Sequence, residues 1–310
     1  MADLKIKFCG KEFLNPTVLA SGVLGVTASS WKNVAQNGAG GITTKSVWFS
    51  EHHGHPSPTI ITTPHYMMNA MGLPDAGVEK ARDEINVYLK AKPAPLIVSI
   101  VGGKIEEFVK IAEQIAQLDI DAIEVNISCP NVESEFGTPF ACVAADAKTV
   151  TKKVKSAVKK INPNLPVIIK LSPNTEDIVN IANSCAEAGA DGFCLINTLG
   201  PGLAINLETR IPILANKVGG ISGPAIKPLA VKLVNDVYRA TKLPIIGTGG
   251  VLTGEDALEM MMAGATLVGI GSAVYYRGID CFRKIANEMN EWCDKNGVKS
   301  LTEIIGTVKR

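Results

Sequence analysis

Polar groups and glycine pairs recur at the ends of short apolar runs. They are Ser21, Lys45-Ser46, Ser99, Asn126 to Cys129, Lys170, Asn197-Thr198, Gly249-Gly250 and Gly271-Ser272. A lysine at a strand end can simply snorkel to water. Two lysines that converge with Asn126 and Asn197 instead suit a site for a polar, negatively charged ligand. Gly247-Thr-Gly249-Gly250 and Gly269-Ile-Gly271-Ser272 suit a phosphate. Glycine lets bare backbone N–H groups approach the anion, and Ser272 adds a hydroxyl. The segment Asn126-Ile-Ser-Cys129-Pro-Asn131 places a thiol between two amides. A buried inert thiol is the ordinary reading of a cysteine, and Cys9, Cys185, Cys194, Cys281 and Cys293 receive it. Cys129 is the exception worth testing, and Cys142 stays open. Asn69-Ala-Met-Gly-Leu73-Pro offers an amide beside a turn with exposed backbone. His52, His53 and His55 share one short loop without a partner carboxylate, so a solvated loop is expected there and no metal.

The elements that must position these groups are eight apolar runs. They are 17–21, 41–46, 96–101, 122–128, 167–172, 192–198, 244–250 and 266–272. Unbroken Val, Ile and Leu fit strands buried on both faces, as parallel sheets require. Helical periodicity lies between them, as in Ile105, Phe108, Ala112 and Ile115, or Val150, Val154, Ala157 and Ile161. Thr253-Gly-Glu-Asp256 reads as a capping box, and Thr175 as the N-cap of another helix. Gly38, Gly189 and Gly264 stand where helices exit into strands, as left-handed C-caps do. Eight βα units in about 250 residues are the arithmetic of a (β/α)8 barrel, with a doubly wound open sheet as the alternative. The sequence opens with a hairpin, LKIKFCGKEFL, turning at Gly-Lys. Extra chain follows strands two, four and six, at 47–77, 129–146 and 199–225. In a barrel these insertions emerge on the face that carries active sites.

Composition sets outer bounds. The 310 residues are 46% apolar and carry 31 basic against 30 acidic side chains. A large core is possible, and a broad electrostatic footprint for nucleic acid or anionic membrane is not. Seven scattered cysteines without zinc spacing fit a reduced, cytoplasmic chain. Residues 1–15 do not read as a signal peptide, and neither uncharged stretch reads as a membrane span. No linker divides the sequence, so one domain over 1–310 is expected. No Gly-x-Gly-x-x-Gly sits on a strand–helix turn of Rossmann type.

Taken together, the motifs resemble those of the dihydroorotate dehydrogenases, in their class 1 form. The residues that carry the resemblance are Thr44-Lys-Ser46, Gly54-His-Pro-x-Pro58, Asn69-Ala-Met-Gly-Leu-Pro74 and Asn126-x-Ser-Cys-Pro-Asn131. Ile196-Asn-Thr198, Ser222-Gly-Pro-Ala-Ile-Lys-Pro228 and Gly247-x-Gly-Gly250 complete it. The Asn-Thr pair and the Ser-Gly-Pro run resemble class 1B, the catalytic subunit of a two-subunit enzyme. Class 2 members use serine as base, where this sequence has Cys129.

The resemblance implies a barrel enzyme that oxidises (S)-dihydroorotate to orotate in pyrimidine biosynthesis, with FMN across the barrel mouth. Gly249, Gly250, Gly271 and Ser272 would meet its phosphate. Ser21, Lys45, Ser46, Ser99, Asn126, Lys170, Ile196 and Gly223 would line the rest. Lys170 would sit at the flavin pyrimidine edge, and Lys45 between flavin and substrate. Asn69, Asn126, Asn197 and Thr198 would hold the substrate with Ala70, Met71, Gly72 and Leu73. Cys129 would be the general base. Class 1B further implies a homodimer that joins a subunit carrying FAD and a [2Fe–2S] cluster into a heterotetramer passing electrons to NAD. Class 1A, a homodimer using fumarate, is the alternative within the family, with a dihydropyrimidine-dehydrogenase-like activity beside it. A non-redox phosphate-binding barrel is the alternative outside it. Two positions depart from the family pattern. Ser99 stands where asparagine is usual, and Asp75 adds a charge near the substrate loop.

Overall fold

The computed structural model describes residues 2–128 and 140–309. Eight parallel strands close into a barrel. In chain order they are β3 (Thr17–Leu19), β4 (Gly41–Thr43), β7 (Leu96–Ile100), β8 (Ala122–Asn126), β9 (Val167–Lys170), β10 (Gly192–Leu195), β13 (Ile245–Thr248) and β14 (Leu267–Ile270). Each falls within one of the eight apolar runs. The barrel closes where β14 pairs with β3, Val268 opposite Thr17. Helices follow the strands on the outside, so the aliphatic strands are covered on both faces, which is why they lack alternation. The open-sheet alternative is thereby excluded.

The opening hairpin is present as β1 (Ile6–Phe8) and β2 (Lys11–Phe13). Its turn differs from expectation by one residue. Phe8 pairs with Lys11, so Cys9 and Gly10 make the turn, at φ 47° and 81°. Two successive positive φ angles give the mirror-image turn whose twist suits a hairpin. Phe8 and Phe13 stack edge to face and pack against Gly192 and Gly41, the first residues of β10 and β4. The hairpin therefore plugs the end of the barrel opposite the candidate site.

Helix boundaries follow local chemistry. The capping box at Thr253 and Asp256 is present. Gly38, Gly189 and Gly264 all have positive φ at helix exits. Thr175 is not an N-cap. The helix Ile178–Glu187 is capped by Asp177, whose carboxylate accepts from Asn180 N, and Thr175 Oγ1 supports Asp177 N instead. The buried face Ile178, Ile181, Ala182 and Cys185 sets that start.

The insertions after strands two and six meet above the C-terminal mouth. Strands β5 (Ile60–Thr62) and β6 (Met67–Asn69) come from the first, β11 (Leu199–Leu203) and β12 (Val218–Ser222) from the second. They form one antiparallel sheet in the order β11-β12-β6-β5. Most of the insertion after strand four lies outside the described residues. No described helix is long and apolar enough to cross a membrane.

Candidate active site at the barrel mouth

Between the strand ends and the antiparallel sheet lies a cleft that opens to solvent. Ser21, Lys45, Ser46, Asn126, Lys170, Ile196, Gly249, Gly250, Gly271 and Ser272 line it from the barrel. Asn69, Met71, Gly72, Leu73, Asn197, Thr198 and Gly223 line it from the insertions and strand termini.

One hydrogen-bonded wall joins these residues. Ser21 Oγ lies 3.3 Å from Ser46 Oγ, and Asn126 Nδ2 donates to Ser46 Oγ at 3.0 Å. Asn126 Oδ1 accepts from Ser128 N and Oγ at 3.3 and 3.0 Å. Asn197 Nδ2 donates to Ser128 O and Oγ at 3.2 and 3.0 Å, and Asn197 Oδ1 receives Thr198 N at 2.8 Å. Amides bonded at both ends cannot rotate freely, so Asn126 and Asn197 are fixed before any ligand arrives.

Both lysines are buried in this wall. Lys45 is 8% exposed and Lys170 5%. Lys45 N donates to Gly25 O at 2.7 Å, which seats the strand end against the preceding loop. Lys170 Nζ stands 3.9 Å from Glu124 Oε1, and Glu124 is 1% exposed. Sequence reading missed Glu124. A single acid inside the apolar run Ala122–Asn126 was the available signal.

The turn after β6 is braced from behind. Trp48 Nε1 donates to Leu73 O at 3.1 Å, and His55 N to Met71 O at 3.1 Å. Gly72 and Leu73 hold φ of 67° and 52°. A Cβ on Gly72 would lie 2.7 Å from His55 N, so the glycine is needed for the two loops to touch. Asp75 does not charge the cleft. Its carboxylate accepts from Trp48 N and Gly77 N and holds the loop from outside.

The glycines near β13 and β14 divide into two kinds. A Cβ on Gly269 would meet Thr248 Oγ1 at 2.0 Å, and on Gly249 it would meet Ala230 Cβ at 2.7 Å. Protein packing explains those two. A Cβ on Gly271 would meet nothing closer than Ala20 Cβ at 3.7 Å. Its bare backbone faces the cleft without any packing need, as a surface that receives a ligand does.

Two expected contacts do not reach the cleft. Ser99 is fully buried behind Ser46, with Ser46 Oγ at 2.9 Å and Glu124 Oε1 at 2.9 Å. The short side chain turns inward to a buried acid and links Ser46 to Glu124 behind the wall. Ala70 packs with Met68 and Leu214 beneath the antiparallel sheet. Cys129 lies outside the described residues. Among the described residues no three His, Cys, Asp or Glu side chains gather as a metal site. His52 stacks on Trp48, and His55 Nδ1 lies 3.2 Å from Ala70 O. Thr248 and Ile226, which lie inside motifs without an assigned role, also line the cleft, as do Val251, Met67 and Ile60, which belong to no motif.

Fold and site define a (β/α)8 barrel with two buried lysines and preset amides in a cleft at its mouth, the face on which barrel enzymes build their active sites. The sequence matches the family model described as "Dihydroorotate dehydrogenase" over residues 3–292, and the chain belongs to that family. It is 44% identical over 310 residues to the "Dihydroorotate dehydrogenase B (NAD(+)), catalytic subunit" of Methanocaldococcus jannaschii, covering 98% of this chain and 97% of that one. Proteins of the same name from Methanothermobacter thermautotrophicus and Geobacter sulfurreducens are 42% and 41% identical over 303 and 308 residues. They cover 98% and 99% of this chain, and 97% and 98% of their own lengths.

Proposed function

We propose that this chain oxidises (S)-dihydroorotate to orotate and passes the electrons through FMN, then a partner subunit carrying FAD and [2Fe–2S], to NAD. The observation that carries the reading is near-full-length similarity at 44% to a protein named as the NAD-linked catalytic subunit.

The residues present fit FMN. Gly271 leaves a bare surface beside Ser272 that packing does not require, and Gly249 and Gly250, at φ 136° and 75°, adopt backbone that glycine favours. These four would hold the phosphate. Lys170 would face the pyrimidine edge, with Ser21, Lys45, Ser46, Asn126, Ile196 and Gly223 along the remainder. When bound, FMN supplies the two-electron acceptor for the hydride leaving C6 of the substrate.

On the substrate side, Asn69, Asn126, Asn197 and Thr198 would hold the carboxylate, amides and carbonyls, with backbone from Met71 to Leu73. The amides already bonded to Ser128 lose little freedom on binding, which favours orientation over raw affinity. Lys45 would balance the substrate carboxylate. Cys129 would take the proton from C5. A free thiol has a pKa of about 8.5, so cationic neighbours or an alkaline optimum must supply the thiolate.

The proposal extends to assembly and place: a homodimer joined to the electron-transfer subunit, in the cytoplasm. Exposed Leu203, Ile205, Leu207 and Ile211 on the second insertion support a protein contact there.

The test is the visible spectrum of the purified chain, the mass of its released flavin, and turnover with NAD or fumarate, with and without a co-purifying subunit. FMN and NAD reduction only with the subunit are expected. Fumarate turnover by the chain alone would establish the class 1A reading, and a colourless protein the non-redox one.

A further inference from the structure

Glu124 occupies the middle of β8, inside the barrel wall. Its backbone pairs with Ser99 on β7 and Ile168 on β9, and Asn126 pairs with Lys170 two residues on. Glu124 is 1% exposed and the Lys170 side chain 7%. A carboxylate and an ammonium 3.9 Å apart at that depth interact far more strongly than at a surface. Desolvating both is costly, so an apolar pair would serve stability as well. Lys170 lines the cleft and Glu124 lies directly behind it, so the pair is placed to act on the site.

The hydrogen bonds give the carboxylate a direction. Ser99 Oγ donates to Glu124 Oε1 at 2.9 Å. Its single proton is thereby used, so Ser46 Oγ must donate to Ser99 Oγ across their 2.9 Å contact. Ser21 must then donate to Ser46 Oγ, 3.3 Å away. Two cleft-lining hydroxyls are thus ordered by one buried acid. A neighbouring thiol also registers its charge: burial pushes Cys194 up, and Glu124 pushes it further.

We propose that Glu124 is a positioning residue that offsets the charge of Lys170 and so sets how readily flavin in the cleft is reduced. This rests on the FMN reading above. Reduced flavin is anionic at its pyrimidine edge, and an uncompensated Lys170 would favour it. Glu124 restrains that preference, keeping the reduced cofactor able to give up its electrons. Ser99 tempers Glu124 in turn by drawing its oxyanion toward a hydrogen bond.

The experiment measures the flavin midpoint potential of the loaded enzyme against a reference dye at pH 7, in the parent, Glu124→Gln and Ser99→Ala. Glu124→Gln is expected to shift the reduction equilibrium about tenfold toward reduced flavin, about 30 mV for a two-electron couple. Ser99→Ala is expected to shift it a few-fold the other way. A merely structural glutamate would alter thermal midpoint and flavin affinity and leave the potential alone. An unchanged or more negative potential in Glu124→Gln overturns the inference. Where that variant fails to fold, Ser99→Ala decides, and an unmoved or more positive potential overturns it. A parent without FMN refutes the functional reading itself and the inference with it. An FMN-loaded parent with unresponsive variants refutes this inference alone.

Discussion

Asn197 holds Ser128 by two hydrogen bonds, to its carbonyl and its hydroxyl, at 3.2 and 3.0 Å. Asn126 takes the same hydroxyl and the backbone N–H from the other side. Ser128 directly precedes Cys129 in the sequence, so two of the three substrate-side asparagines are locked to the residue next to the proposed base.

Ser128→Ala removes the hydroxyl that both amides share. Ser128 is fully buried, so each amide loses one buried hydrogen bond and keeps only its bond to the Ser128 backbone. A stability loss of about 1–3 kcal/mol is expected, read from the denaturant midpoint. A several-fold drop in kcat/KM for dihydroorotate should accompany it, because Asn126 and Asn197 lose their preset orientation. An unchanged midpoint and rate would show that the clasp carries nothing.

Gly271→Ala and Gly269→Ala should part company. The first Cβ has room in the protein but enters the cradle, so flavin affinity should fall at least tenfold with little change in apoprotein stability. The second collides with Thr248 Oγ1, so stability itself should fall. Flavin titration followed by fluorescence, together with thermal unfolding of each apoprotein, separates the two. Equal flavin affinity in Gly271→Ala would remove the phosphate assignment.

Thiol reactivity distinguishes the cysteines. Burial, then the charge of Asp191, pushes Cys9 up to about 12, and burial pushes Cys185 and Cys281 up to about 11. Such thiols carry almost no thiolate at pH 8. In a Cys142→Ser background, brief iodoacetamide treatment should label Cys129 first, and orotate should slow it. Peptide mass mapping reads both outcomes. Labelling of Cys9 ahead of Cys129 would contradict the assignment.

Acid should loosen the glycine cradle. Asp256 accepts from Leu252 N, Thr253 N and Lys227, and Glu288 accepts from Gly254 N and Arg277. Burial alone would raise both acids, but the bonds from Lys227 and Arg277 and from the backbone outweigh it and hold both low. A depressed carboxylate stabilises above its unfolded pKa and loses that contribution as pH falls through its folded one. Flavin release should therefore begin as pH drops below about 4, and Asp256→Asn should flatten that dependence. Fluorescence recovery against pH measures it, and parallel curves would exclude Asp256.

Much of this was legible in the sequence. All eight barrel strands announce themselves because burial on both faces favours short runs rich in Val, Ile and Leu. The antiparallel sheet over the mouth does not. Its strands β6 and β12 pair Asn69 with Gly220 across a long separation, and runs such as Leu199–Leu203 contain two glycines and a proline. Gly219 and Gly220 are fixed by Asn69 O and Thr198 Oγ1, contacts with no local signal. Ser99 reads in sequence as a cleft residue because its partner, Glu124, is hidden in an apolar run. Asp177 displaced Thr175 as a cap because packing of Ile178 and Ile181 sets the helix start.

The central claim is that dihydroorotate reduces a flavin seated in this cleft. Anaerobic mixing of the purified chain with dihydroorotate, followed at the visible flavin band, tests it most directly. The account predicts rapid, stoichiometric bleaching with orotate formed, and in Cys129→Ala a flavin that stays yellow while orotate still binds. A parent flavin that does not bleach, or a Cys129→Ala protein that bleaches as fast as the parent, would contradict it.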